Sequence, residues 1–184
     1  TFAQRYTIFG KNDVSALVYG GSFRKREKGD WLFRDAFRIF APQKNSNMER
    51  NSAKYNLLFV CLGNICRSPA AEEVMRQIVQ REGLGEQITI DSAGTYGGHA
   101  DERPDARMRS AAAMRGYSLT HRARQIREED FARFDRIIVM DDSNYERVHR
   151  LAPSPEAAQK IFRMREFFHT FAHWDHVPDP YYEG

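Results

Sequence analysis

Residues 56–69 read NLLFVCLGNICRSP, and this stretch decides the fold of the chain. Its first part, residues 56–61, is a short apolar run typical of a strand that is buried on both faces of a parallel sheet. Gly63 and Asn64 follow, and both residue types tolerate the positive φ angles that a tight loop requires. A helix is predicted from Pro69, because proline is favoured in a first turn. The stretch therefore predicts an α/β fold in which a loop joins the carboxyl end of a strand to a helix.

Beyond this stretch, helix and strand patterns alternate along the chain. Further strands are predicted at residues 87–91 and 135–140, and helices at residues 69–82, 104–115, 128–134 and 144–151. Residues 160–164 fit either a fourth strand or the continuation of a helix from Pro155. A β-α-β-α order predicts a parallel sheet with right-handed crossovers. Ligands of such sheets bind beyond the carboxyl ends of the strands, where Cys61, Asp91 and Asp141 are expected.

The composition of the 184-residue chain excludes several classes of protein. No run approaches the ~18 apolar residues that a membrane-spanning helix needs, and an aromatic content of 12% argues against wholesale disorder. Two cysteines cannot build a disulfide framework, and no basic-then-apolar leader opens the chain, so we expect a cytoplasmic protein. The positive net charge of +3 comes from the first 47 residues, so the rest of the chain offers no general positive field. We therefore expect neither nucleic acid nor a membrane as a partner.

Residues 1–47 differ from the rest of the chain. They carry nine aromatic residues without a clean helical or strand period, and a polar linker follows at residues 44–51. Met48 opens a stretch that looks like the beginning of a self-contained domain. We expect residues 1–47 to be an N-terminal extension of unknown role, either foreign to the domain or packed on it as an extra hairpin, and residues 48–184 to be the functional domain.

The loop after the first strand carries Cys61 and Arg67, six positions apart. Consecutive backbone N–H groups in such a loop form an anion-binding nest, and the helix start adds positive partial charge. The guanidinium of Arg67 can bind two phosphate oxygens at once. These surroundings favour the thiolate form of Cys61, and Ser68 can donate its hydroxyl to the sulfur. The loop is therefore predicted to bind a phosphate dianion and to attack its phosphorus.

Cysteinyl-phosphate chemistry also needs an acid for the leaving oxygen, and this acid should lie on a separate loop. Asp179 is the candidate, because Pro178 and Pro180 fix the backbone on either side of it. Tyr181 and Tyr182 follow directly and could stack on an aromatic leaving group. Taken alone, Pro-Asp-Pro is common turn chemistry. The assignment of Asp179 therefore depends on the anion-binding loop.

In their order and spacing, four motifs resemble the low-molecular-weight protein tyrosine phosphatases: residues 61–69 (CLGNICRSP), 91–95 (DSAGT), 140–141 (MD) and 179–182 (DPYY). The resemblance runs from about residue 55 to residue 184. It implies a flavodoxin-like three-layer fold, with a four-stranded parallel sheet that includes residues 160–164 and helices on both faces. It implies phosphotyrosine hydrolysis without a metal or other cofactor. Cys61 would be the nucleophile, Arg67 the phosphate clamp, and Asp179 the general acid and then the base.

The resemblance also implies where the substrate lies. The expected substrate-binding residues are Leu62, Gly63, Asn64, Ile65, Cys66, Ser68, Tyr96, Tyr181 and Tyr182. Ile65 and the tyrosine pair suit a flat phenyl ring, whereas related phosphoarginine phosphatases carry Thr in place of Ile65 and lack that pair. Tyr96 is either a further pocket wall or an exposed loop aromatic. The expected partners are phosphotyrosine-containing proteins or small aryl phosphates, with inorganic phosphate as the product.

Several alternatives stay open. A non-catalytic phosphoprotein-binding module would keep the anion nest but lack turnover, and a protein arginine phosphatase or an arsenate reductase would share the fold. Arsenate reductases need additional cysteines, and this chain has only Cys61 and Cys66. Cys66 is either the partner of Cys61 in a reversible, protective disulfide or a packing residue. Family members continue past DPYY into a closing helix, whereas this chain stops at Gly184, so we expect the domain to lack its C-terminal helix.

Other polar residues are interpreted as structural. His169, His173 and His176 imitate metal-ligand spacing, but we interpret them as a solvated face. His121 is expected to make ordinary structural hydrogen bonds, and the local basic patch of Arg122, Arg124 and Arg127 is expected to be solvated surface.

Overall fold

The computed structural model describes residues 54–167 and 175–183, with the side chains of Tyr182 and Glu183 excepted. Within these ranges lie four strands: β1 (Tyr55–Cys61), β2 (Ile88–Gly94), β3 (Arg136–Val139) and β4 (Ile161–Arg163). All pairs are parallel, and the order across the sheet is β2-β1-β3-β4. The predicted four-stranded parallel sheet is confirmed, and residues 160–164 do contain a strand. The strand order reverses at β1, where ligands of open α/β sheets bind.

The helices among the described residues are α1 (Arg67–Arg81), α2 (Ala106–Ala113), α3 (Asp130–Arg133), α4 (Asp142–Leu151), α5 (Pro155–Ala158) and α6 (Pro180–Glu183), with a 3₁₀ turn at Met164–Phe167. Helix α1 begins two residues before Pro69, directly after the loop. Helix α2 is shorter than predicted at both ends. Asp105 caps its start by accepting hydrogen bonds from two backbone N–H groups, and Gly116, with a φ of 84°, follows its end. None of the described helices is long and apolar enough to cross a membrane.

Strand β1 is buried on both faces of the sheet. Leu57 and Phe59 pack in one core cluster with residues of α1, while Leu58 and Val60 pack in the other with residues of α3 and α4. Burial of each such side chain contributes roughly 1.5–3 kcal/mol. Helices therefore cover both faces, as predicted, and the end of β1 at Cys61 is fixed from both sides.

Strand β2 extends three residues beyond its predicted end, to Gly94. Its pairing with β1 continues to Cys61, and residues 124–126 pair with Gly94 on the other side. A Cβ atom at position 94 would lie 2.7 Å from the carbonyl oxygen of Leu62. Only glycine therefore lets the loop after β1 lie against the end of β2.

The proposed N-terminal extension, residues 1–47, and the linker that follows it lie outside the described residues. The described chain begins at Lys54, one residue before β1.

Candidate active site

The loop after β1 curls around the sulfur of Cys61. Asn64 adopts a φ of 56°, the positive value that the sequence predicted for this loop. Its backbone N–H lies 3.3 Å from Cys61 Sγ, and Ser68 Oγ lies 3.1 Å from the same sulfur. Both groups can donate hydrogen bonds to Sγ, an arrangement suited to an anionic acceptor. The structure thus brings together Cys61 and the predicted loop residues at the start of α1.

Arg67 is the cation of this site, and its side chain is only 4% exposed. Its Nη1 donates to Asp141 Oδ2 at 2.6 Å and to the carbonyl oxygen of Val177 at 2.9 Å, and its Nη2 donates to Asp179 Oδ2 at 2.5 Å. Burial alone would lower the pKa of Arg67, but the charges of Cys61, Asp179 and Asp141 raise it overall. Arg67 therefore stays charged and joins the loop to a residue 112 positions away.

Asp179 reaches the loop because its segment is held at the end of β3. The backbone N–H of Val177 donates to the carbonyl oxygen of Met140 at 2.9 Å. Asp179 Oδ1 accepts a hydrogen bond from the backbone N–H of Tyr181 at 3.1 Å, while Oδ2 faces Arg67. Both oxygens of the carboxylate thus have fixed partners, and the predicted acid lies beside the predicted phosphate clamp.

Asp141 is a site residue that the sequence reasoning placed at a strand end without giving it a role. Its Oδ1 accepts a hydrogen bond from Asn144 N at 2.6 Å and caps α4, while its Oδ2 binds Arg67. One carboxylate therefore begins a helix and orients the guanidinium. A signal was present in the sequence, since an aspartate at a strand end directly before a helix pattern predicts a cap.

The side chain of Asn64 uses its full hydrogen-bonding capacity inside the protein. Its Nδ2 donates to Ser68 Oγ at 2.8 Å and to Ser92 Oγ at 2.9 Å. Its Oδ1 accepts from the backbone N–H of Arg124 at 2.9 Å and lies 2.8 Å from His121 Nε2. Because a backbone N–H can only donate, the atom facing Arg124 is the amide oxygen, and His121 Nε2 must donate to it. These four contacts hold Asn64 in its left-handed conformation.

A buried ion pair lies beneath Asn64. Glu72 Oε2 accepts from Ser92 Oγ at 2.6 Å and lies 2.9 Å from His121 Nδ1, and Arg76 contacts the same carboxylate. Burial would raise the pKa of Glu72, but the hydrogen bonds and charges of His121, Ser92 and Arg76 lower it overall. Nε2 of His121 faces the Asn64 amide oxygen and Nδ1 faces the Glu72 carboxylate, so both ring nitrogens lie against acceptors. His121 does make structural hydrogen bonds, as predicted, and one of them is to Asn64, in the loop that holds Cys61.

The two cysteines of the loop have different surroundings. Both are buried and free of disulfides. Burial, followed by the charge of Asp105, raises the pKa of the Cys66 thiol far above its ordinary value. Cys66 is therefore a neutral thiol near neutral pH, whereas the hydrogen-bond donors of the loop face Cys61.

The residues predicted to line the substrate pocket differ in their exposure and in their neighbours. Tyr96 is 54% exposed, and its backbone N–H donates to the carbonyl oxygen of Leu62 at 2.9 Å, so its loop lies against the loop that holds Cys61. Ile65 is buried, and Tyr181 is 47% exposed beside Arg107. The side chain of Tyr182 lies outside the described part of the structure. Sequence reasoning missed the His99 ring, which stacks edge-on with Tyr96 and lies over Gly63.

A group with metal-ligand chemistry also occurs near the site. Ligand atoms of Glu72, Asp91 and His121 lie within 4.8 Å of one another. The carboxylates of Glu72 and Asp91 are already paired with Arg76 and Arg124, and these cations would repel a metal ion. His169 and His173, whose spacing imitates metal ligands, lie outside the described residues.

Comparisons with known proteins agree with this geometry. A sequence model of a family described as low molecular weight phosphotyrosine protein phosphatase matches residues 56–184. A low molecular weight protein-tyrosine-phosphatase of Streptomyces coelicolor is 44% identical over 131 residues, which cover 71% of this chain and 80% of that protein. A solved protein tyrosine phosphatase of Entamoeba histolytica superimposes with a TM-score of 0.68 at 45% identity, covering 71% of this chain and 83% of that chain. A Drosophila arginine phosphatase superimposes with a TM-score of 0.63 at 31% identity, covering 70% of this chain and 82% of that chain.

The matched residues, 56–184, include the motif from Cys61 to Pro69 and make up more than two thirds of the chain. This chain therefore belongs to the low molecular weight phosphotyrosine protein phosphatase family.

Proposed function

We propose that the chain hydrolyses phosphotyrosine in two steps, with Cys61 as the nucleophile, Arg67 as the phosphate clamp and Asp179 as the general acid and then the base. The observation that carries this proposal is the position of Cys61 Sγ. It has hydrogen-bond donors at 3.1 and 3.3 Å, and it shares its loop with a guanidinium that binds Asp179. Nucleophile, clamp and acid thus occupy one site.

In the first step, the thiolate of Cys61 attacks phosphorus in line with the phenolic oxygen. The S–P bond forms while the P–O bond to tyrosine breaks, and the proton of Asp179 passes to the departing oxygen. Nη1 of Arg67 is engaged by Asp141 and Val177, which leaves Nε and Nη2 as the edge for two phosphoryl oxygens. Nη2 has two hydrogens and also donates to Asp179 Oδ2, so the acid lies next to the group whose ester bond it cleaves.

In the second step, water attacks the cysteinyl-phosphate. Asp179, now ionised, takes the proton of the water, the new P–O bond forms, and the S–P bond breaks to release inorganic phosphate. The electron pair of that bond returns to Cys61. Ser68 Oγ, at 3.1 Å, and the Asn64 N–H, at 3.3 Å, are placed to stabilise the departing sulfur.

The preferred substrate class is an aryl phosphate, either phosphotyrosine in a protein or a small aryl phosphate ester. Exposed aromatic rings beside the loop, Tyr96 and Tyr181, suit a phenyl group. Ile65 supplies an apolar side chain within the loop itself. We propose a cytoplasmic location, because a nucleophilic thiolate beside a second cysteine is best preserved in a reducing compartment.

Release of p-nitrophenol from p-nitrophenyl phosphate tests the function. We expect turnover that vanadate inhibits and that chelators leave unchanged. Cys61→Ser should abolish turnover while retaining phosphate binding. Binding of phosphate without any turnover by the wild type would identify a non-catalytic module instead. A higher kcat/KM for phosphoarginine than for phosphotyrosine would reassign the substrate.

A further inference from the structure

Arg124 lies outside the catalytic loop, which we define as residues 61–69, and its guanidinium binds two carboxylates at once. Its Nε and Nη2 donate to Asp91 Oδ2 at 3.2 and 3.0 Å, and its Nη1 and Nη2 donate to the two oxygens of Asp130 at 2.9 and 3.2 Å. Asp91 lies in β2, and Asp130 begins α3. The carboxylate of Asp130 is nearly buried and also accepts a hydrogen bond from the backbone N–H of Arg127. The guanidinium thus fixes residue 124 relative to both elements.

The backbone of the same residue makes contacts in a different direction. The Arg124 N–H donates to Asn64 Oδ1 at 2.9 Å, and its carbonyl oxygen accepts from Gly94 N at 2.8 Å. The N–H of Ile126 returns a hydrogen bond to the carbonyl oxygen of Gly94 at 2.9 Å. Residues 124–126 therefore form a short edge beside the end of β2, and this edge faces the catalytic loop. A displacement of residue 124 would move a hydrogen-bond donor of Asn64.

The position of Asn64 matters because its own backbone N–H faces Cys61 Sγ at 3.3 Å. Its φ of 56° is unfavourable for most residues and persists only where surrounding contacts hold it. One of the two hydrogen bonds to its amide oxygen comes from Arg124. A chain of direct contacts thus runs from Asp91 and Asp130, through Arg124 and Asn64, to the reacting sulfur.

We propose that Arg124 is a positioning residue for the catalytic loop: held by Asp91 and Asp130, it aims its backbone N–H at Asn64 and thereby keeps the Asn64 N–H on Cys61. This inference rests on the proposed function of Cys61 as a nucleophile. Arg124 touches neither phosphate nor the reacting atoms, so it acts only through Asn64.

A purely structural role for the ion pairs is the competing explanation, and the chain offers a matched control. Arg133 also approaches Asp130, at 3.9 Å, and its side chain is 67% exposed. It shares a carboxylate with Arg124 but has no described contact with Asn64. Arg133→Met therefore tests loss of a cation beside Asp130 without loss of the support for Asn64.

The test compares Arg124→Met, Arg124→Lys and Arg133→Met in the full chain. Three properties are measured below the thermal transition: kcat and KM for p-nitrophenyl phosphate, the rate of Cys61 alkylation by iodoacetate at neutral pH, and the phosphate concentration that protects Cys61. For Arg124→Met we expect kcat to fall about tenfold. Alkylation should slow, and more phosphate should be needed for protection. Arg124→Lys, which can satisfy only one carboxylate well, should lie between wild type and Arg124→Met, and Arg133→Met should stay within about twofold of wild type.

A double-mutant cycle then separates positioning from stability. In an Asn64→Ala background, Arg124→Met should lower kcat by less than about twofold, because the contact through which it acts is already gone. If Arg124→Met lowers the melting temperature but keeps the wild-type kcat, alkylation rate and phosphate protection, the proposal is overturned. It is also overturned if the effects of Arg124→Met and Asn64→Ala on kcat are fully additive. If Arg124→Met does not fold, a folded Arg124→Lys with wild-type properties would overturn it equally. A wild type without turnover would refute the proposed function, while the alkylation and protection measurements would still report on Arg124.

Discussion

Replacement of Asn64 by alanine is the most direct test of how the catalytic loop is held. The substitution removes four buried hydrogen bonds, two made by Nδ2 and two made to Oδ1. Each is worth about 0.5–1.5 kcal/mol. Alanine at a φ of 56° adds a backbone cost of about 1 kcal/mol. We therefore expect the free energy of unfolding to fall by about 3–7 kcal/mol, a large part of the 5–15 kcal/mol that is typical of a domain.

Two further substitutions at the same position separate the contributions. Asn64→Gly loses the same hydrogen bonds but tolerates the positive φ, so it should be more stable than Asn64→Ala by about 1 kcal/mol. Asn64→Asp keeps an acceptor for His121 and Arg124 but loses the donor to Ser68 and Ser92. It also places a negative charge near Cys61. Among the three variants, we expect Asn64→Asp to show the largest fall in kcat relative to its fall in the free energy of unfolding.

Urea unfolding gives the free energies, and turnover of p-nitrophenyl phosphate gives the activity. With its N–H no longer held on the sulfur, Asn64→Ala should lose at least about 100-fold in kcat, even where the variant is fully folded. An Asn64→Ala variant within about 0.5 kcal/mol and threefold of wild type would refute the reasoning. Equal stability of the alanine and glycine variants would refute the backbone contribution alone.

Three other substitutions probe separate parts of the site. Glu72 has a lower pKa in the folded protein than in the unfolded chain, so it stabilises the fold above about pH 4.5, and this stabilisation is lost as the pH falls through the lowered folded value. In Glu72→Gln, the free energy of unfolding measured with urea should therefore depend less on pH between pH 3 and 7 than in the wild type. Asp179→Ala should slow esters of poor leaving groups most, and an equal loss across a series of aryl phosphates would contradict its role as the acid. If Cys66 protects the nucleophile, peroxide-treated wild type should regain activity with a dithiol while Cys66→Ser should not, and equal recovery would exclude the disulfide.

The buried strand and the loop could be predicted from the sequence because their signals are local. An apolar run, a Gly-Asn pair and a helix start follow one another between residues 56 and 69: the run predicts a strand, the pair permits a tight loop, and Pro69 predicts a first helical turn. The last three residues of β2, residues 92–94, could not be predicted in this way. Alanine and glycine are poor strand formers, and the strand conformation of this stretch comes from pairing with β1 and with residues 124–126.

The polar residues that support the loop escaped the sequence analysis for a different reason. Glu72 lies on the buried side of α1, and His121 and Arg124 lie in a segment without regular structure. Their spacing along the chain carries no information about Asn64, which is 57 and 60 positions away from His121 and Arg124. A charged residue on the buried side of a helix was the one available signal, because such a charge requires a buried partner.

The distribution of apolar and polar contacts explains why stability and catalysis respond to different residues. The end of β1 is fixed by apolar packing on both faces, and this packing would hold Cys61 in place with any loop that fits. The conformation of the loop depends instead on buried polar groups, among them Asn64 with its four hydrogen bonds and the Glu72–His121 pair beneath it. These contacts keep the Asn64 N–H on the sulfur, so substitutions among them are expected to change catalysis more than substitutions in the apolar core do.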